Sequence, residues 1–340
     1  MEPGDRIKVI TRDETIEGIL MPSSSAKNNK DNIVVLKIDS GYNIGIEKSR
    51  IKAMELIQKK QKKEKKEKEI IQQEKLPEIT ILHTGGTIAS KVDYETGAVV
   101  ARFSPEELIQ MFPEIKKYAR IKSRLISNMF SEDMTFSHYN ILADEIEKEL
   151  RSGSKGIIIT HGTDTLHYTS AALSFMLENL KNPVILVGAQ RSSDRGSSDA
   201  ALNIINAVYF IAKSDFAGVG VCMHKTIEDE SCIILSGTKC RKMHSSRRDA
   251  FKPVNSEPLA EVDFKTDKII KNFTSKREEK PEKKLLVRKF NPNIKVAILK
   301  VHPNMHPSEI MAYKDFDGIV IEGTGLGHAP VNVIDDLTKN

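Results

Sequence analysis

From Glu78 onward the chain repeats one pattern, and this pattern limits the fold more than any other feature. A short apolar run stops in a glycine or polar turn, and an amphipathic stretch follows. The apolar runs are EITILHTGG, GIIITHGTD, NPVILVGAQRSSD and GVGVCM. The helix-like stretches are PEELIQMF, HYNILADEIEKELRSG, TLHYTSAALSFMLENL and ALNIINAVYFIAKS, and RIKSRLISNMF adds a strand candidate. Apolar strands alternating with helices build an α/β fold, a parallel sheet covered on both faces. On this reading GVGVCM is the last strand. Such sheets bind ligands at the carboxyl ends of their strands, which directs attention to the loops after each run.

The first 57 residues have a different grammar. GDRIKVI, TIEGILM, NIVVLKI and YNIGIEKSRIKAMEL are short β-rich runs, separated by turn formers at Arg12-Asp13, across PSSSAKNNKDN and at Ser40-Gly41. Four or five such strands suit a small SH3-like β-barrel over 1–57, a module for packing or partner binding, with an irregular meander as the plainer alternative. Residues 58–76 form a charged linker. Its eight lysines and four glutamates carry a net +4 of the chain's formal +5. The remainder is nearly neutral, which argues against a broad basic nucleic-acid face. A solvated spacer is the simpler reading of the linker, with contact to RNA phosphates as the alternative.

The α/β pattern fills 77–264 as a catalytic domain, and the charged stretch 265–293, with KREEKPEKK at its centre, reads as a connection. A smaller α/β unit starts at 294–340 with IKVAILKVHPN, FDGIVIEGTGLGHAP and PVNVIDDLTKN. Two strands leave a sheet face and edges open, so the expectation is an incomplete domain, truncated C-terminally or completed by a partner chain. No apolar run approaches the ~20 residues that span a bilayer, and MEPGDRIKVI lacks the pattern of a secretory signal. Three cysteines without CxxC spacing argue against a disulfide framework or zinc site, and a cytoplasmic location is expected.

Two strand-end loops carry chemistry. In Thr84-Gly85-Gly86-Thr87-Ile88-Ala89, the glycines allow close backbone approach to a ligand, and a threonine hydroxyl can be a nucleophile once its proton is removed. A phosphate loop is the rival, but the run lacks the lysine of GxxxxGK[ST] and the GxGxxG spacing. His161-Gly162-Thr163-Asp164-Thr165 places a hydroxyl beside a carboxylate at another strand end. Either loop alone is an ordinary Gly/Thr turn; at the same edge of one sheet the pair gains weight.

TGGTIA followed about 75 residues later by HGTDT strongly resembles the bacterial-type L-asparaginase/glutaminase family, and the resemblance covers roughly residues 77–340. SEDM, VGAQR and FDGIVIEGTGLGH resemble lesser motifs of that family in the same order. The resemblance implies a larger flavodoxin-like domain, a smaller α/β domain and amide hydrolysis through a threonine acyl-enzyme. It implies Thr87 as nucleophile assisted by Tyr94, and a second group of Thr163, Asp164 and Lys242. It implies Ser131, Glu132 and Asp164 around the substrate's amino and carboxylate groups, with Gly86 and Ala189 near its amide. Which threonine attacks first stays open. Tyr94 has the alternative of an ordinary loop aromatic, and Lys242 has a rival in Lys239. His161 reads as structural, Cys222 as a buried core thiol, and His244, Arg247 and Arg248 as either a solvated loop or a contact for RNA or a partner.

The N-terminal β unit with its linker, and the wording GTKCRKMHSSRRDAF around Lys242, resemble the D-subunit family of archaeal glutamyl-tRNA(Gln) amidotransferases. That resemblance implies a glutaminase sending ammonia to a partner, the E subunit, which uses ATP and magnesium to convert Glu-tRNA(Gln) to Gln-tRNA(Gln). It implies no cofactor in the glutaminase itself, a homodimer within a D2E2 heterotetramer, and no membrane. The alternatives are a free-standing cytoplasmic L-asparaginase and a non-catalytic assembly protein.

Overall fold

The computed structural model describes residues 1–21, 32–40, 42–59, 75–86, 88, 90–92, 99–101, 104–192, 196–277 and 282–339. They divide into two compact units, Met1–Met134 with Ile141–Arg288 and Thr135–Asn140 with Lys289–Asn340.

The N-terminal run forms β1 (Arg6–Thr11), β2 (Thr15–Leu20), β3 (Ile33–Lys37), β4 (Asn43–Glu47) and β5 (Ile51–Gln58). Among the described residues these make an antiparallel sheet in the order β4-β3-β2-β1-β5. Alternation explains it: Ile7 and Val9 of β1 point inward with Val34, Leu36 and Ile46, and the residues between them are only partly buried or exposed. The turn after β1 is fixed by Thr11, whose hydroxyl accepts from Asp13 N and Glu14 N.

The α/β body opens with β6 (Glu78–Gly85), a hairpin of β7 (Ser90–Val92) and β8 (Val99–Ala101), and α1 (Pro105–Met111). Ser104 caps α1, its hydroxyl accepting from Glu107 N at 3.2 Å, and Pro105 follows where its missing N–H costs nothing. Then come β9 (Arg120–Met129), α2 (Phe136–Arg151), β10 (Gly156–Thr160), α3 (Leu166–Met176), β11 (Leu177–Glu178), β12 (Pro183–Val187) and α4 (Ala200–Lys213). The chain continues through β13 (Gly218–His224), β14 (Cys232–Ser236), β15 (Cys240–Lys242), β16 (Phe251–Pro253), β17 (Ala260–Asp263), β18 (Lys268–Lys271) and β19 (Leu286–Val287).

Among the described residues the main sheet runs β18-β17-β14-β13-β12-β10-β6-β9. Strands β9, β6, β10, β12 and β13 are parallel, as the sequence pattern requires. Every residue of β10 and β12 is buried, because helices cover both faces. The sheet does not end at GVGVCM. It continues antiparallel through β14, β17 and β18. β18 lies inside the stretch expected to be a connection; KIIK is too short and too lysine-bounded to read as a strand until an edge accepts it.

The second unit contains β20 (Val296–Lys300), α5 (Pro307–Met311), β21 (Gly318–Glu322) and α6 (Val331–Lys339). The two strands pair in parallel. One side carries Leu299 into a small core with Val301, Met305, Ile310 and Val333, and Val296, Ile298 and Val320 remain exposed. No helix of the described residues is long and apolar enough to cross a membrane. The three cysteines are buried free thiols.

Candidate active site

Parallel pairing puts the carboxyl ends of β6, β9, β10 and β12 at one edge of the sheet. Three glycines then set how closely the following loops approach. Gly86 has φ +82°, and a Cβ there would lie 2.7 Å from Gly162 N and 2.8 Å from His161 O. The absence of a side chain is what lets the turn after β6 rest on the HGTDT backbone. A Cβ on Gly162 would meet Ser131 Cβ at 2.9 Å, and one on Gly188 would meet Thr163 Cγ2 at 2.7 Å. The loops after β6, β9 and β12 therefore converge on residues 161–165.

Lys242 reaches this point from the β15–β16 ribbon, where it lies opposite the fully buried Phe251. Its Nζ donates to Thr163 Oγ1 and to Asp164 Oδ1, each at 2.8 Å. The lysine side chain is only 8% exposed, and that of Asp164 is 70% exposed. Lys239, the rival candidate, is exposed. A neutral amine between a hydroxyl and a carboxylate can take the hydroxyl's proton, and the ammonium it then becomes favours the alkoxide until the proton is returned. Thr163 Oγ1 also donates to Gln190 Oε1 at 3.3 Å.

Ser131 is buried and bonded to the loop after β10: its carbonyl accepts from Thr165 Oγ1 at 2.6 Å and its Oγ from Thr165 N at 3.4 Å. Glu132 beside it is exposed, and Ala189 is buried. Thr87 and Tyr94 lie outside the described residues, so the structure places the Thr163–Asp164–Lys242 group and leaves the other pair unplaced.

Two histidines lie beneath these loops, and both are neutral. Burial pushes His161 down to about 4. Its Nδ1–H donates to Gly162 O at 2.7 Å and its Nε2 accepts from Thr169 Oγ1 at 2.8 Å. Burial also pushes His83 down to about 3, between Thr160 Oγ1 at 2.7 Å and Ser123 Oγ at 3.0 Å. Both rings support the loops that carry the candidate hydroxyls and carboxylates.

The sequence reading missed the group behind the loop after β12. Asp199, fully buried, is the N-cap residue of α4, but its side chain makes no capping bond to that helix. Its carboxylate accepts from Gln190 N at 3.0 Å and Arg191 N at 2.9 Å. Asn203 Nδ2 adds a bond to Asp199 at 3.2 Å and one to Gly188 O at 3.0 Å. His224 Nδ1 meets Asn203 Oδ1 at 2.6 Å, and its Nε2 meets Asp229 Oδ1 at 3.2 Å. The one available signal was an aspartate nine residues after a strand-end glutamine and just before a helix. The basic residues after Lys242 are also occupied internally. Arg247 holds Asp249 and pulls that carboxyl well below the usual range, and Arg248 holds Asp229 at 2.5 Å.

Two known families match parts of the chain. Residues 78–275 match the asparaginase N-terminal family and residues 1–57 match the GatD N-terminal domain family. The D subunit of glutamyl-tRNA(Gln) amidotransferase from Methanococcus maripaludis is 46% identical over 334 residues, spanning 97% of this chain and 78% of that protein. Its counterpart from Pyrococcus furiosus is 45% identical over 351 residues, spanning all of this chain and 78% of that protein. Among solved structures, the thermostable L-asparaginase of Thermococcus kodakarensis superposes with a TM-score of 0.65 at 30% identity, over 77% of this chain and 76% of that one. A probable cytoplasmic L-asparaginase of Campylobacter jejuni gives 0.63 at 29% identity, over 77% and 79%.

Proposed function

The chain belongs to the D-subunit family of glutamyl-tRNA(Gln) amidotransferases, with an asparaginase domain as its body, and on that premise we propose how it acts. It hydrolyses glutamine through a threonine ester and supplies the ammonia to a partner protein. A threonine hydroxyl adds to the side-chain carboxamide carbon of glutamine. The C–N bond then breaks, ammonia leaves with the proton taken from the hydroxyl, and water hydrolyses the ester to glutamate. Thr87 carries the ester, assisted by Tyr94. Lys242, Thr163 and Asp164 move the proton, and Gly86, Ser131, Glu132 and Ala189 line the bound amino acid.

The partner, the E subunit, uses ATP with magnesium to activate Glu-tRNA(Gln), and the ammonia converts it to Gln-tRNA(Gln). The two proteins assemble as D2E2. The observation that carries this reading is Lys242 Nζ, at 2.8 Å from both Thr163 Oγ1 and Asp164 Oδ1 at the carboxyl edge of the sheet. A free-standing L-asparaginase is the second reading, favoured by the likeness to the two solved asparaginases. The match of residues 1–57 to the GatD N-terminal domain supports the amidotransferase over it.

The test is reconstitution. The chain with the E subunit, Glu-tRNA(Gln), ATP and glutamine should form Gln-tRNA(Gln), and glutamine hydrolysis should exceed asparagine hydrolysis. Fast turnover of free asparagine with no tRNA product would select the second reading.

A further inference from the structure

Gln190 is an unused donor at this site. Its backbone is held from behind, since its N–H donates to Asp199, and Asp199 is itself bound by Arg191 N and Asn203 Nδ2. Its side chain turns toward Thr163, whose hydroxyl donates to Gln190 Oε1 at 3.3 Å. Thr163 Oγ1 accepts from Lys242 Nζ and gives its single proton to the amide oxygen. That exchange orients the carboxamide with its oxygen on Thr163. Nε2 then points away, is closed off from water, and has no hydrogen-bond partner among the described residues. Buried amide donors in folded proteins are nearly always paired. One left over beside a candidate catalytic threonine, in a loop pinned by a buried carboxylate, has the character of a ligand contact.

We propose that the Gln190 side-chain N–H donates to an oxygen of the amino acid bound beside Thr163, which makes Gln190 a substrate-binding residue. The proposal rests on the glutamine-hydrolysing reading and adds to it a side chain that neither threonine group includes. Gln190 also joins recognition to catalysis, since one carboxamide holds the ligand with its nitrogen and Thr163 with its oxygen.

The chain has six glutamines, so selective ¹⁵N labelling of their side chains gives six resolvable N–H₂ pairs. Gln190→Met removes one pair and so assigns it; Gln190→Asn serves if that variant does not fold. L-Glutamate, the product that does not turn over, is titrated into the wild-type chain, with calorimetry to follow occupancy. The Gln190 pair is expected to shift with occupancy, and an unmoved pair at saturation overturns the proposal. In steady-state assays, Gln190→Met should raise the KM for glutamine about tenfold, the worth of one ligand hydrogen bond, at an unchanged urea midpoint. A KM within about twofold of wild type also overturns it. Wild-type turnover with an unmoved pair removes this proposal and leaves the functional reading standing. Absent turnover with a shifted pair does the reverse, and the absence of both removes both.

Discussion

Acidification should weaken the fold through His161, and the size of the effect follows from its burial. The ring is fully buried, with Nδ1–H on Gly162 O and Nε2 accepting from Thr169, so its folded form is neutral with a pKa of about 4. In the unfolded chain a histidine titrates near 6.5. Because the folded value is depressed, the stabilisation is complete above about pH 6.5 and is lost as pH falls toward 4, where the unfolded state binds the proton first. At pH 5 the loss amounts to roughly 2 kcal/mol, a large share of a typical domain's ~5–15 kcal/mol. His83, pushed to about 3 by burial, acts in the same sense. His224 acts in the opposite one: burial lowers it, but Cys232, Asp229 and Asp199 together raise it by more. A bare pH series therefore mixes them. The clean quantity is the stability difference between wild type and His161→Gln, measured by urea unfolding at pH 7.5 and pH 5, because the other groups cancel. That difference should shrink by about 2 kcal/mol on going to pH 5. A difference independent of pH would refute the neutral, buried assignment of this ring.

Three further outcomes follow from the site's construction. Gly86→Ala forces a Cβ to within 2.7 Å of Gly162 N at φ +82° and should cost about 2 kcal/mol or more, with turnover falling further than stability explains; urea unfolding alongside glutaminase assays checks both. Asp199→Ala strands the donors of Gln190, Arg191 and Asn203 in a buried place and should cost about 2–4 kcal/mol, read from the shift in thermal midpoint. Cys222, Cys232 and Cys240 are buried, so a thiol reagent should label them only as fast as the protein opens, and immediate labelling of the native chain would contradict the packing.

How much of this was legible depends on whether local residues or distant neighbours decide. β6, β10 and β12 were readable because nearly every position is buried and apolar residues dominate each run. The convergence of TGG and HGTDT followed from parallel pairing alone. Lys242 is 79 positions from Thr163, a pairing no spacing rule supplies, and only the likeness to a known family pointed to it. β14, β17 and β18 were not recognised because short antiparallel strands take their identity from an available edge, and Lys268 and Lys271 disguised the last one as linker. Asp199, His83 and Gln190 look ordinary in the sequence. Their roles arise from burial and from partners on other elements, which the local pattern does not encode.

If, as proposed, Lys242, Thr163 and Asp164 act on glutamine as one unit, changing any member should disable the whole group. Glutamate release should be measured for wild type, Lys242→Met, Thr163→Val and the double variant, each assembled with its partner and shown to be folded. Each single change should lower kcat by about 10²–10⁴, and the double change should cost little more than the worse single one, since one proton path is broken in every case. Single variants with wild-type rates, or losses that multiply in the double variant, would contradict it.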